Sequence, residues 1–160
     1  MKSVPTLPES AVPRAVIDTS VLISAFLFPG SVPGAIVQLA QMERYEAVIS
    51  PIIADEFRQS IRRDRLRSRY AYTIRTAEAW FRAFAATAIS VSDPLPDIEP
   101  VCRDPDDDHV IAAAIAAGAE WIVTGDKDLL TLGQVESVRI VDARTLLTFL
   151  AEPSPPPSLG

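Results

Sequence analysis

Short apolar runs alternate with helical patterns along this chain, and that alternation restricts the fold more than any other feature of the sequence. Strands that alternate with helices are joined by crossover connections, so they form a parallel sheet covered by helices on both faces. The pattern therefore predicts an α/β fold. The five predicted strands are RAVID (14–18), YEAVIS (45–50), AISV (88–91), EWIVT (120–124) and VRIVD (138–142).

Several residues mark where the predicted helices begin and end. Ser50 and Pro51 are typical of a helix N-cap and first helical position, and the helical pattern that follows continues to about Thr87. Gly118 is a typical stop for the helix after the third strand. Asp142 is a typical cap for the last helix.

The folded part of the chain is predicted to be one domain over residues 14–150. The chain has 160 residues and is 48% hydrophobic, which suits a single core. Residues 1–13 and 151–160 contain seven of the 14 prolines and little periodic apolar pattern, so we expect two disordered tails. No apolar run is typical of a signal peptide or a membrane span, and Cys102 as the only cysteine excludes an internal disulfide. We therefore expect a cytoplasmic protein with no membrane partner.

Charge is distributed unevenly although the net charge is −6. Residues 58–75 carry seven arginines and one acid, whereas residues 93–108 carry seven acids and one base. The net charge argues against a uniformly basic nucleic-acid-binding protein. The arginine-rich stretch has two interpretations, a solvated helix face or a nucleic-acid contact.

The acidic segment RDPDDDHVIAAA (103–114) leads directly into an apolar helix. Asp104 is typical of an N-cap, and acids are favoured in the first turn, where Asp106 and Asp107 would lie. Asp108 is explained least well by capping, because it lies on the same helical stripe as Ile111 and the next isoleucine. Periodicity prefers Asp108 over Asp107 as the acid at the edge of the core only weakly. A calcium loop is excluded, because its sixth and twelfth positions would be histidine and isoleucine.

Acids also follow predicted strands, where a parallel sheet places its functional crevice. Asp18 ends the first strand, Asp126 follows the fourth, and Glu56 lies on the helix after the second. With Asp108, these carboxylates would converge at one edge. They could not all stay ionised there without a cation, and oxygen-only ligands suit Mg²⁺ or Mn²⁺. Such ions activate water and stabilise the leaving oxygen in phosphodiester hydrolysis, so no side-chain nucleophile is needed.

The segments VIDTSVLISA, SPIIADEF, DDDHVIAAAIAAG and IVTGDKDLL resemble, in order and spacing, the four acidic motifs of PIN-domain nucleases. They are similar to the toxins of bacterial VapBC-type toxin–antitoxin pairs. The resemblance implies a three-layer α/β/α fold with a five-stranded parallel sheet, and an Mg²⁺- or Mn²⁺-dependent endoribonuclease. It assigns the family's acids to Asp18, Glu56, Asp108 and Asp126. It also implies Asp128 as an additional ligand, Thr124 as a hydroxyl that supports the ligands, and Ser20 in a polar position where many relatives carry asparagine.

The same resemblance implies an RNA substrate, an antitoxin protein as partner and a homodimer. Since the arginine-rich stretch begins two residues after Glu56, we predict that Arg58, Arg62 and Arg63 contact RNA. Two alternatives remain open. One is a PIN-like domain that binds RNA or protein without cleaving it. The other is a haloacid-dehalogenase-type phosphatase, which would need a second aspartate at the position that Ser20 holds.

Four further residues have structural interpretations. Trp80 and Trp121 are expected in the core rather than as platforms for bases. His109 is expected to be a half-exposed helix residue, although a phosphate contact stays open. Cys102 is expected to be a small, partly buried residue rather than a nucleophile.

Overall fold

The computed structural model describes residues 12–152, and most of the two predicted tails therefore lies outside the described residues. The strands and helices alternate as the sequence predicts. The strands are β1 (Arg14–Ile17), β2 (Glu46–Ile49), β3 (Ile89–Ser90), β4 (Trp121–Val123), β5 (Gln134–Val135) and β6 (Val138–Val141). The helices are α1 (Thr19–Leu27), α2 (Val32–Gln41), α3 (Pro51–Ile61), α4 (Asp64–Tyr70), α5 (Ile74–Ala85), α6 (Asp108–Ala117), α7 (Lys127–Leu132) and α8 (Ala143–Ala151), with a 3₁₀ helix at Pro105–Asp107.

The sheet has the strand order β3-β2-β1-β4-β6-β5, and its first five strands in that order are parallel. This confirms the predicted α/β fold with a parallel sheet flanked by helices. The strand count differs by one, because β5 adds an antiparallel edge strand in which Val135 pairs with Val138. The turn before β6 includes Glu136 at a φ of 53°. A strand of two residues is too short to produce a period-2 pattern in the sequence.

β1 lies at the centre of the sheet, and its position determines where the acids go. Val16 pairs with Val48 of β2 on one side and with Ile122 of β4 on the other. The residues that follow β1 and β4 are therefore next to each other at the carboxyl edge. The Asp18 N–H continues the ladder by donating to the Val123 carbonyl at 2.9 Å.

The core is apolar on both faces of the sheet, as expected for parallel strands. Ile53, Phe57 and Ile61 of α3 recur every four residues and are all buried. Trp80 stacks between Phe57 and Phe84, with ring centroids 5.7 and 6.1 Å away. The indole of Trp121 is also buried and packs against Phe149 at 4.9 Å. Trp121 is therefore a core residue, as predicted, and Trp80 is partly buried and packs against the core.

Polar groups close the ends of several elements. Arg14 is only 1% exposed and donates from Nη1 to the Ala117 carbonyl at 2.8 Å, so it caps the end of α6. Ser50 accepts from the Ile53 N–H, and Asp142 accepts from the Thr145 N–H, as their predicted capping roles require. Gly118 ends α6 in the left-handed region at a φ of 63°.

The helical stretch predicted to continue to Thr87 is instead interrupted. α4 ends where Ala71 takes a left-handed conformation at a φ of 54°, and Thr73 then caps α5 by accepting from the Thr76 N–H. α8 extends to Ala151, one residue past the expected end of the domain. Within the described residues, no single helix is long and apolar enough to cross a membrane; α1 and α2 pass that test only as a pair bent by 99°.

Candidate active site

Asp18 is the acid most firmly held at the carboxyl edge of the sheet. It caps α1, and its Oδ1 accepts from the Thr19 N–H at 2.8 Å. Its Oδ2 accepts from the Thr124 hydroxyl at 2.7 Å. Burial raises the pKa of this carboxyl, and the two hydrogen bonds oppose that rise. The result is a fixed carboxylate oxygen pair in a poorly solvated position.

Thr124 connects Asp18 to the turn after β4. Its side chain is fully buried, and its hydroxyl also accepts from the Asp126 N–H at 3.0 Å. Ser20 holds the same turn from the other side, because its hydroxyl accepts from the Gly125 N–H at 3.0 Å. Both side chains are therefore placed to support the acids, in the positions that the sequence suggested.

Asp126 caps α7, where its Oδ1 accepts from the Asp128 N–H at 2.8 Å. Asp126 raises the pKa of both Asp18 and Asp107 through its negative charge. This mutual influence shows that the three carboxylates share one electrostatic environment at the ends of β1 and β4.

Asp108 lies near this group, since the charges of Asp108, Asp107 and Asp126 all act on the Cys102 thiol, but the connection before α6 holds one of its oxygens. Its Oδ1 accepts from the Cys102 N–H at 2.8 Å and from the Val101 N–H at 3.2 Å. Hydrogen bonds from Cys102 lower the pKa of the Asp108 carboxyl. Asp108 therefore fastens the long connection before α6 to the start of that helix.

Asp107, which the sequence left open as the alternative to Asp108, shares the electrostatic environment of Asp18 and Asp126. Burial above all, together with the charges of Asp126, Asp104 and Asp18, raises its pKa to about 6. The preceding turn explains the difference, because Asp104 caps a 3₁₀ helix by accepting from the Asp106 N–H and Asp108 becomes the first residue of α6. Asp107 is thus a further candidate at this edge, and the assignment of Asp108 as a ligand stays a prediction.

Glu56 approaches the same edge from α3. Its Oε1 accepts from the Thr19 hydroxyl at 3.1 Å and lies 3.3 Å from His109 Nε2. His109 is more buried than expected, at 10% exposure, and its Nδ1 is buried without a hydrogen-bond partner within residues 12–152. The only sign of the His109–Glu56 contact in the sequence was that His109 follows several acids at the start of an apolar helix.

Cys102 lies beside the acids but cannot serve as a nucleophile near neutral pH. Burial and the neighbouring carboxylates, above all Asp108, raise the pKa of its thiol to about 12. The thiolate that nucleophilic attack would need is therefore scarce.

The remaining predicted site residues lie away from the three carboxylates or are engaged elsewhere. Asp128 is half-exposed, and its carboxylate is 3.8 Å from Arg103. Arg62 forms an ion pair with Glu78 at 2.6 Å. Arg58 is 3.8 Å from Asp55 and lies over the Phe81 ring, 5.6 Å from its centroid. Arg63 is exposed immediately before α4.

The donor chemistry at this edge suits a hard divalent cation. The described residues contain no group of three His, Cys, Asp or Glu side chains close enough to hold an ion as they stand. The acids Asp18, Asp107 and Asp126 nevertheless offer oxygen only. Burial above all, and neighbouring carboxylates to a smaller extent, raises the pKa of the first two, and a bound cation would favour their ionised forms. These three residues are the candidates to hold such an ion.

Similarity to known proteins agrees with this geometry. A family model described as PIN domain matches residues 14–128. The chain is 34% identical over 119 residues to the uncharacterised protein MJ1680 of Methanocaldococcus jannaschii, a match that covers 74% of each chain. The crystal structure of PAE2754 from Pyrobaculum aerophilum matches with a TM-score of 0.56 at 16% identity, over 92% of this chain and 97% of that one. At that identity the structural likeness concerns the fold alone.

Proposed function

We propose that this chain, which belongs to the PIN-domain family, is an Mg²⁺- or Mn²⁺-dependent endoribonuclease that hydrolyses RNA phosphodiester bonds. PIN domains are generally nucleases, and they typically use divalent metal ions. The observation that carries the proposal is the shared environment of Asp18, Asp107 and Asp126 at the ends of β1 and β4. An edge that brings several carboxylates together is suited to a cation and, through it, to a phosphate.

The protein's own contribution is to hold these oxygens in place before the substrate arrives. Thr124 fixes Asp18 and the Asp126 turn together through one buried hydroxyl. Thr19 and His109 fix the Glu56 carboxylate at the margin of the same crevice. A bound divalent ion would supply charge neutralisation at the scissile phosphate and would activate water. Side chains held by buried hydrogen bonds need little reorganisation during the reaction.

Replacing Asp18 tests this function directly. We expect the wild-type protein to cleave RNA with Mg²⁺ or Mn²⁺ and EDTA to abolish cleavage. Asp18→Asn should lower the rate by at least about 100-fold. Loss of a residue that only hydrogen-bonds to a metal ligand already costs about 10–100-fold, and Asp18 is a candidate ligand itself. Gel analysis of a labelled single-stranded RNA measures the rate. Asp97→Asn removes one charge from an exposed position and is expected to cleave like the wild type.

Two outcomes would contradict the proposal. Full cleavage by Asp18→Asn would exclude the assignment of the site. Absence of cleavage by the wild-type protein, combined with tight RNA binding, would favour the non-catalytic alternative. The phosphatase alternative has no support from the geometry, since Ser20 is occupied in accepting from the Gly125 N–H.

The finer biological role rests on the resemblance of the four acidic motifs to those of toxins. We propose that the protein is a cytoplasmic toxin, that it forms a homodimer, and that an antitoxin encoded beside it inhibits cleavage. Growth arrest on expression that is relieved by co-expressing the product of the adjacent gene is the expected result. Unimpaired growth with an active nuclease would argue against the toxin role.

A further inference from the structure

α4 is the most basic element of the described structure, and it contributes no buried side chain. Arg65, Arg67 and Arg69 lie on it, and all three are exposed. Its single acid, Asp64, lies 3.6 Å from Arg67 and offsets only that charge. A helix without buried residues is stabilised little by core packing, so its surface is available for another purpose.

Two of these arginines are free of acidic partners. Within residues 12–152, neither Arg65 nor Arg69 forms an ion pair, whereas Arg62 and Arg58 are engaged with acids. Arg65 and Arg69 are four residues apart and therefore lie on one face of α4. The arginines available for phosphate therefore include Arg63, which the sequence suggested, as well as Arg65 and Arg69 on α4.

An aromatic pair at the surface lies beside one of these arginines, Arg69. Phe28, at the end of α1, is 46% exposed, which is high for a large apolar side chain. Its ring meets Tyr70 edge to face, with centroids 5.4 Å apart and planes at 89°. The Arg69 guanidinium lies over the Tyr70 ring, 5.5 Å from the centroid. Aromatic faces beside unpaired arginines form the usual platform for a stacked base and its phosphate.

The position of Phe28 relative to the acids also favours RNA. α1 begins at the Asp18 cap and runs nine residues to Leu27, so its far end lies about 14 Å from the acids. A strand that crosses this distance keeps its scissile phosphate at the acids and its neighbouring phosphates at the arginines. The arginines would supply the attraction for phosphate that the acidic edge lacks.

We infer that Phe28, Arg65, Arg69 and Tyr70, here termed the α4 surface, bind single-stranded RNA at a second contact outside the cleavage site. A base stacks on the Phe28–Tyr70 pair, and Arg65 and Arg69 contact the flanking phosphates. The inference rests on the proposed ribonuclease function, and it specifies unpaired RNA, since a base within a duplex has no free face for stacking.

The test measures binding separately from cleavage. Labelled single-stranded RNA is titrated in EDTA, where hydrolysis is absent, with wild type, Phe28→Ala and the double variant Arg65→Glu/Arg69→Glu. Phe28→Ala is expected to weaken binding by about 10-fold, and Phe28→Tyr, which keeps a ring, is expected to retain it. The double variant is expected to reduce the slope of log affinity against log salt by about 1.4, or about 0.7 for each phosphate that an arginine no longer neutralises.

Matched controls come from exposed residues elsewhere on the surface. Met42→Ala truncates a side chain that is 62% exposed, and Arg44→Glu reverses an exposed charge. Both are expected to bind RNA like the wild type. Thermal melting of each variant shows whether the fold is kept, which is expected because none of the altered side chains is buried.

The results separate this inference from the proposed function. Unchanged RNA affinity in Phe28→Ala and in the double variant would overturn the inference, whether or not the wild type cleaves RNA. Weakened binding in these variants together with absent cleavage would overturn the nuclease and keep the surface. If Phe28→Ala instead dissociates a dimer in sedimentation without altering RNA affinity, the α4 surface is an interface between copies and the inference is wrong.

Discussion

Asp107 and Asp108 are adjacent in the chain and have opposite electrostatic environments. Asp107 faces other carboxylates, and burial together with their charges raises its pKa to about 6. Asp108 accepts two backbone N–H groups, and the hydrogen bonds lower its pKa. Ionised Asp107 therefore destabilises the metal-free fold, whereas ionised Asp108 stabilises it.

These pKa shifts predict opposite effects for the two asparagine variants at neutral pH. A pKa raised above the unfolded value means that Asp107 lowers stability once the pH exceeds that unfolded value, near 4, with the full effect above about pH 6. Asp107→Asn should therefore raise the free energy of unfolding at pH 7, on the order of 1 kcal/mol after allowance for partial exposure. The gain should vanish below about pH 4.

Asp108→Asn should lower the free energy of unfolding at pH 7, on the order of 1 kcal/mol, because its amide oxygen accepts the two N–H groups without the charge. That stability is present above the unfolded pKa of an aspartate and is lost as the pH falls through the lower folded value. Urea titrations in EDTA at several pH values measure both variants. A destabilised Asp107→Asn at pH 7 would show that Asp107 does not face the other acids.

The different environments of Asp107 and Asp108 could not be predicted from the sequence. Periodicity placed both near the edge of the core, and capping explained Asp104 correctly. Which of the two carboxylates accepts backbone N–H groups depends on the path of the connection before α6. That connection brings the N–H groups of Val101 and Cys102 to Asp108. That path is set by packing of a proline-containing segment, and no local pattern in the sequence describes it.

At the scale of elements, the junction of α1 and α2 forms a sharp corner, with the two helices bent by 99°. Gly34 lies in the first turn of α2, and its N–H donates to the Ser31 hydroxyl. A Cβ at this glycine would lie 2.1 Å from the Pro29 carbonyl oxygen, and that oxygen belongs to the backbone. The corner therefore depends on the absence of a side chain at one position.

Gly34→Ala is expected to lower the free energy of unfolding by about 1–3 kcal/mol, because the backbone of α2 must move away from Pro29. Gly30→Ala is the matched control, since a Cβ there meets nothing within 4 Å. It should be neutral or stabilising by up to about 1 kcal/mol. Urea unfolding measures both variants. Equal stability of the two would show that the corner relaxes without cost.

Element boundaries were predictable where a residue type enforces them and unpredictable elsewhere. Ser50, Gly118 and Asp142 each mark a helix end by their own chemistry, and the structure places helix ends there. The break after α4 depends on Ala71 in a left-handed conformation, which alanine rarely adopts. No residue type signals this break, so a longer helical stretch up to about Thr87 was expected after α3.

At the scale of the whole molecule, opposite charges are gathered in different places. The acids concentrate where β1 and β4 end, and three exposed arginines lie on α4. The alternation of strands and helices predicted a parallel sheet and leaves few topologies, although it does not give the strand order. The uneven charge of residues 58–75 and 93–108 was also visible in the sequence, although the partner of each arginine was not.

A divalent ion should stabilise the whole fold by binding among these acids. At a concentration of Mg²⁺ or Mn²⁺ about 100 times its Kd, linkage gives about 2.7 kcal/mol. For a chain of this length the Tm should rise by about 5–10 °C. Asp18→Asn should lose most of the rise, whereas Asp97→Asn should keep it. Differential scanning calorimetry measures the shift, and an equal shift in all three proteins would place the ion elsewhere.

The independence of α4 from the core has a consequence for how such proteins diverge. The acids stand on strands whose every side chain is packed, so substitutions beneath them are constrained by folding. α4 contributes nothing buried, and exchanges on its outer surface cost the fold little. On the inference that α4 binds RNA, selection can vary what α4 recognises while the acidic site stays fixed. Proteins with this fold can then change their targets through substitutions confined to α4.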